Sequence, residues 1–235
     1  MSFSLALTET QSWLPSILSV GFWLTIVLIT AEWFSRQPKF DREIPRKIVH
    51  IGTGNVILLA WWLHTPLSLG VSASIIFCIV TLLSYRFPIL SSVSGVGRQS
   101  WGTFFYALSI GLLIIYFWGR SLPQFAAMGI LVMTWGDGLA AVIGKKFGTH
   151  KYKIWGMEKS WEGSSTMLFV STCICGSILI PIYHSSISIG MLILLALISG
   201  AIATGLEAFS KYGLDNLTVP LGTAGLCYSL VLWQL

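Results

Sequence analysis

The chain has 235 residues, 54% of them hydrophobic and only 10% charged, with a formal net charge of +5 and a mean hydropathy of +0.78. Those values exclude an ordinary soluble domain, in which about 25% of residues are charged. The basic excess does not point to nucleic acid, because no basic stripe is interleaved with exposed aromatics on a soluble surface.

Apolar runs of about 20 residues suffice to cross a bilayer, and the sequence predicts eight of them. They run near Leu14 to Trp33, Ile48 to Leu63, Ser68 to Ser84, Trp101 to Trp118, Leu122 to Ile143, Ser165 to Tyr183, Ile187 to Leu206 and Leu217 to Trp233. The expected fold is an all-α, polytopic integral membrane helix bundle, forming a single domain over residues 1–235. Trp33, Trp61, Trp62, Trp101, Trp118 and Trp233 fall near span ends, as in an interfacial belt. Cys78, Cys173, Cys175 and Cys227 lie within the spans and read as small buried apolar residues, not as disulfide or zinc partners.

The basic residues set an orientation under the positive-inside rule. The odd-numbered connections carry Arg36, Lys39, Arg42, Arg46 and Lys47, then Arg86 and Arg98, then Lys145, Lys146, Lys151, Lys153 and Lys159, then Lys211; the even-numbered ones carry only Arg120. Both termini are therefore expected outside the cytoplasm and the active loops inside it. Met1 to Trp13 contains no Lys or Arg, and RQPKFDREIPRK after the first run reads as a stop-transfer flank. No cleaved signal peptide or Arg-rich transit peptide is expected. The four ionisable groups Glu32, His50, Asp137 and Glu207 are predicted to meet at the cytoplasmic face.

The second run opens RKIVHIGTGN, where Arg46, Lys47 and His50 share a helical face at spacings of three and four. It reads either as a polar stripe entering the bundle, with Arg46 and Lys47 near phosphate, or as an interfacial anchor with a satisfied histidine. In the fifth run Gly136, Ala140 and Gly144 make a ridge for close helix approach. That ridge does not explain Asp137, eight residues before Lys145 and so about 12 Å inside a helix. A carboxylate at that depth faces a cavity, a partner or an ion, and an oxygen ligand of this kind suits Mg²⁺ shared with phosphate.

The loop over about 144–164 combines Gly144, Gly148 and Gly156 with five lysines, and bare amides beside ammonium groups suit phosphate. KSWEGSS then starts the sixth span, with Ser160, Gly163 and Ser164 as donors at a helix N-terminus. The plainer reading is Ser160 as N-cap, with Glu162 favouring the helix dipole. Standard nucleotide motifs are missing: Gly138 to Lys145 departs from a Walker loop, and GVGRQS at Gly95 lacks a third glycine and a preceding strand. His50 and His64 lack the second helix a two-haem site needs, and no nucleophile elbow is present.

RKIVH, GDGLAAVIGKKFG and KSWEGS, in that order, resemble the membrane prenol kinases, a family that includes phytol and dolichol kinases and is distantly related to CDP-diacylglycerol synthases. The short chain looks most similar to the phytol and farnesol kinases of photosynthetic organisms. The resemblance implies transfer of a phosphoryl group from CTP, or another nucleoside triphosphate, with Mg²⁺, to an isoprenoid alcohol drawn from the bilayer. It implies phytol as the foremost acceptor, in phytol salvage and tocopherol or other prenyl-lipid synthesis. It implies catalytic roles for Asp137, Lys159, Glu162 and His50, with Asp137 and Glu162 on the metal and Glu162 alternatively orienting Lys159. Lys145, Lys146, Ser160, Gly163, Ser164, Arg46 and Lys47 would hold the nucleotide. The location implied is a bacterial inner membrane or a photosynthetic membrane. The alternatives are a phosphatidate cytidylyltransferase-like enzyme, which would release pyrophosphate, an ion or lipid transporter, and a structural or pigment-binding subunit. A transporter would show inverted repeats and a broken helix, and the sequence displays neither.

Overall fold

The computed structural model describes residues 2–39, 41, 43–86 and 101–235. Arg42, Arg98 and the GVGRQS stretch lie outside them. Nine helices are described: α1 Ser2–Ser35, α2 Glu43–Gly54, α3 Val56–Trp62, α4 Leu67–Arg86, α5 Gly102–Phe117, α6 Pro123–Phe147, α7 Trp161–Tyr183, α8 Ile189–Phe209 and α9 Asp215–Gln234. Six of the described helices are long and apolar enough to cross a membrane: α1, α4, α5, α6, α7 and α8. The protein is a multi-pass membrane helix bundle.

Two of the eight expected spans take another form. The second is interrupted: α2 ends at Gly54, α3 starts at Val56, and Asn55 between them receives a hydrogen bond on its side chain from Trp135 Nε1 at 2.9 Å. A broken helix is thus present that the sequence did not display. The eighth is α9, whose Asn216, Thr218, Gly222, Thr223 and Gly225 make it less apolar than the six. Inside the expected 144–164 loop, β1 (Lys151–Ile154) and β2 (Met157–Ser160) form an antiparallel hairpin, an addition to the all-α expectation. Its turn places Trp155 (φ 48°) and Gly156 (φ 78°) in the left-handed region, which the glycine adopts at no steric cost.

The core sits around α6, where Phe125, Ala126, Ala127, Met128, Val132 and Met133 are almost fully enclosed. Outward residues such as Phe22, Ile76, Phe169 and Ile193 are exposed and apolar, as a lipid-facing surface requires. The small-residue ridge works as expected. A Cβ on Gly136 would meet Met167 Sδ at 2.7 Å, and one on Gly163 would meet the Ala140 carbonyl at 3.1 Å, so α6 and α7 touch nearly backbone to backbone. On the other side, a Cβ on Gly54 would lie 2.0 Å from Thr134 Cγ2, and one on Gly138 2.8 Å from Ile51. Glycine at those points lets α2 approach α6. The four cysteines are free; Cys175 and Cys227 are buried as expected, Cys78 is partly buried, and Cys173 is exposed on the outer side of α7, against the expectation of burial.

Candidate active site

Within α6 the residues Val132–Asp137 form a π-helical turn, after which the α-helical register resumes at Gly138. Such insertions shift side chains off their regular helical positions and recur at functional sites. Asp137 closes the turn and is 9% exposed. Its Oδ2 accepts a hydrogen bond from Lys47 Nζ at 2.7 Å and lies 3.7 Å from His50 Nε2. The stripe on α2 therefore enters the bundle. Arg46, one residue earlier, pairs with Glu43 and is acted on by the charges of Asp137 and Asp215.

His50 is fixed from its backbone and its ring. Tyr106 Oη donates to the His50 carbonyl at 2.9 Å, and the two rings lie 4.9 Å apart. The Nε2 atom is buried without a hydrogen-bond partner.

Lys159, at the inner side of β2, pairs with the Glu207 carboxylate at the end of α8 and donates to the Glu207 carbonyl at 3.3 Å. The sequence reading offered Glu162 as its partner; the structure supplies Glu207. Burial opposes the Lys159 charge, but the Glu207 carboxylate outweighs it and the ammonium's pKa is raised. Glu162 instead accepts from Thr149 Oγ1 at 2.8 Å and from the His150 amide at 3.2 Å, with His150 Nδ1 at 2.7 Å. It ties the start of the hairpin to the start of α7, aided by the Trp161 amide donating to the His150 carbonyl at 2.9 Å.

Ser160 and Gly163 satisfy one another. The Ser160 hydroxyl accepts from the Gly163 amide at 3.1 Å as the N-cap of α7, the plainer of the two readings, and Ser164 Oγ is 2.5 Å from Tyr152 Oη. Lys145 reaches Asp41 at 2.5 Å on the exposed surface and holds that carboxyl below its usual range. Lys146 lies over the Phe147 ring at 5.1 Å. Of the four ionisable groups expected to meet, three do: Glu32 is exposed and pairs with Arg36 at 2.9 Å.

Asp215, the first residue of α9, is a member the sequence reading missed. Its charge interacts with Asp137, Lys47 and Lys159, and burial followed by the Asp137 charge pushes its pKa up. The only sequence signal was an acidic residue opening an apolar run, which also describes an ordinary helix start. The cluster thus gathers Arg46, Lys47 and His50 from α2, Asp137 from α6, Lys159 from β2, Glu207 from α8 and Asp215 from α9. Among the described residues, no three His, Cys, Asp or Glu side chains form a group that could hold a metal ion by themselves. Asp137 offers one buried carboxylate, which fits Mg²⁺ brought in with a phosphate chain and not a cation caged by protein alone.

A phytol kinase from Synechocystis sp. is 47% identical over 217 residues, covering 90% of this chain and 91% of that protein. The chain belongs to the phytol kinase family. The resemblance carried by RKIVH, GDGLAAVIGKKFG and KSWEGS is upheld, and the expected phosphotransferase with an alcohol acceptor stands with it. More distant members of this wider kinase group include a chloroplastic farnesol kinase of Arabidopsis thaliana, 28% identical over 87% of this chain and 68% of its own length. A CTP-dependent diacylglycerol kinase of Schizosaccharomyces pombe is 26% identical over 80% of this chain and 94% of its own. No protein-family model and no solved structure matches the chain.

Proposed function

We propose that this protein transfers the γ-phosphoryl group of CTP to the hydroxyl of a long isoprenoid alcohol, phytol foremost, in phytol salvage and tocopherol or related prenyl-lipid synthesis. The observation that carries the reading is the charged cluster around Asp137, held at the end of a lipid-facing bundle beside a basic hairpin. That placement suits a reaction between a water-soluble triphosphate and an alcohol dissolved in the bilayer. The name of the Synechocystis relative supports phytol, and that of the yeast relative supports CTP.

Phosphoryl transfer requires positioning and charge neutralisation more than covalent help. Asp137 would hold Mg²⁺ arriving with the nucleotide, and the ion would neutralise charge on the phosphate oxygens. Lys47 and Lys159, each oriented by a carboxylate, are placed to reach phosphate oxygens through their remaining N–H donors, with Arg46 adding charge at the mouth. The alcohol oxygen bonds to the γ-phosphorus as the bond to the CDP oxygen breaks. The alcohol proton passes to His50 Nε2, a buried nitrogen with no competing hydrogen bond. The hairpin faces the cytoplasm in this scheme, with Lys145 and Lys146 attracting the nucleotide from the surface. The residues of 1–235 work as one membrane domain with 144–164 as its catalytic segment.

The deciding experiment uses membranes containing the protein, γ-labelled CTP, Mg²⁺ and phytol. Label in phytyl phosphate is expected. Label appearing only with diacylglycerol would change the acceptor, and pyrophosphate released with phosphatidate would replace the kinase reading by the cytidylyltransferase one.

A further inference from the structure

Glu207 is the one charged residue of α8, and it is 6% exposed in the last turn of a 21-residue apolar helix. Two general effects oppose it there. An acid near a helix C-terminus faces the negative end of the helix dipole, and a buried carboxylate loses hydration unless it is paired. A neutral residue would satisfy the helix at less cost, so the reason for the acid lies outside α8.

The hairpin supplies that reason. Its register pairs Tyr152 with Lys159 and Ile154 with Met157, and these four form the half-buried side, while Lys151, Lys153 and Glu158 are exposed. The same alternation that buries Tyr152 and Ile154 turns Lys159 inward. The hairpin is fastened to the end of α8 at two points, Lys159 on Glu207 and Trp155 against Phe209 with ring centroids 5.6 Å apart. The charges facing Lys159 are Glu207 from α8, Asp137 from α6 and Asp215 from α9; those facing Glu207 are Lys159, Asp137 and Lys47.

Resting on the kinase reading above, we infer that Glu207 is a positioning residue for nucleotide capture: it holds the Lys159 ammonium inward, beside the Asp137 cluster, where the triphosphate is bound. Without Glu207 the long lysine side chain samples many rotamers, and fixing it again on the nucleotide weakens binding.

The test is steady-state kinetics of the full-length protein in membranes, varying CTP and prenol separately, for Glu207→Gln and Glu207→Asp. Glu207→Gln is expected to raise KM for CTP about tenfold, the size of one hydrogen bond to a charged group, while KM for the prenol stays within about twofold. Glu207→Asp keeps the charge one methylene further back, raises KM for CTP about two- to fivefold on the same scale, and serves alone if Glu207→Gln does not accumulate. A purely structural role lowers kcat through loss of folded enzyme and leaves both KM values unchanged, and that result overturns the inference. So does a parallel rise of both KM values. If the unmodified protein labels no prenol from γ-labelled CTP, the kinase reading itself fails, independently of either variant.

Discussion

Lys47 Nζ lies 2.7 Å from Asp137 Oδ2, joining residues ninety positions apart, and both side chains are buried. Removing one partner of such a pair strands a charge in an apolar bundle, whereas replacing both by apolar groups can be neutral or stabilising. Lys47→Ala is therefore expected to destabilise the protein by about 3 to 5 kcal/mol. The double variant Lys47→Met/Asp137→Leu should recover most of the loss. Thermal unfolding in detergent checks this, and equal losses in single and double variants would refute it.

Asp137→Asn and Lys159→Ala should each lower turnover by a factor of about 100 to 1,000, the loss typical of a preorganised charge facing the transition state. Membrane insertion should remain intact, because Asp137→Asn adds no charge to its span and Lys159 lies outside all six apolar spans. In the same assay Asp137→Asn should shift the Mg²⁺ requirement upward. Near-normal rates for both variants would move the site elsewhere.

Glu162→Ala should loosen the hairpin, since the Glu162 carboxylate joins Thr149 and His150 to the start of α7. Limited proteolysis is expected to cut between Thr149 and Ser160 faster than in the unmodified protein, with the Mg²⁺ dependence of the remaining activity unaltered. A changed Mg²⁺ dependence would instead favour Glu162 as a metal ligand.

Gly54→Ala places a methyl group 2.0 Å from Thr134 Cγ2. The added carbon pushes α2, and with it Lys47 and His50, away from α6, at a cost of about 1 to 3 kcal/mol. Activity should fall further than stability, because the Lys47 to Asp137 contact depends on that approach. Parallel measurement of melting temperature and turnover decides.

Asp215 carries a raised pKa, so between about pH 3.9, the ordinary value for Asp, and its raised value the folded protein binds a proton that the unfolded chain has released. Its contribution to stability is therefore lost as pH rises through that window. Asn mimics the protonated form, so the stability of Asp215→Asn relative to the unmodified protein should grow from pH 4 to pH 7. A difference independent of pH would show that Asp215 is not perturbed.

The sequence by itself determined the membrane bundle and the principal charged segments. Hydropathy runs depend only on local composition, and an isolated Asp137 or a cluster such as RKIVH stands out against an apolar background without knowledge of the fold. The N-cap at Ser160 was legible for the same reason, since its bond to Gly163 spans three residues. Only the tertiary structure decided which charges meet. Lys47 with Asp137, Lys159 with Glu207, and the approach of Asp215 join separate elements, and the relative placement of the helices among them depends on where glycine permits contact, as at Gly54 and Gly136. The π turn at Val132–Asp137 and the break at Asn55 further displace side chains from the positions a regular helix would give them. The hairpin escaped the reading because its eight strand residues offer too short a pattern between two spans, and its inward lysine acquires meaning only once Glu207 stands opposite.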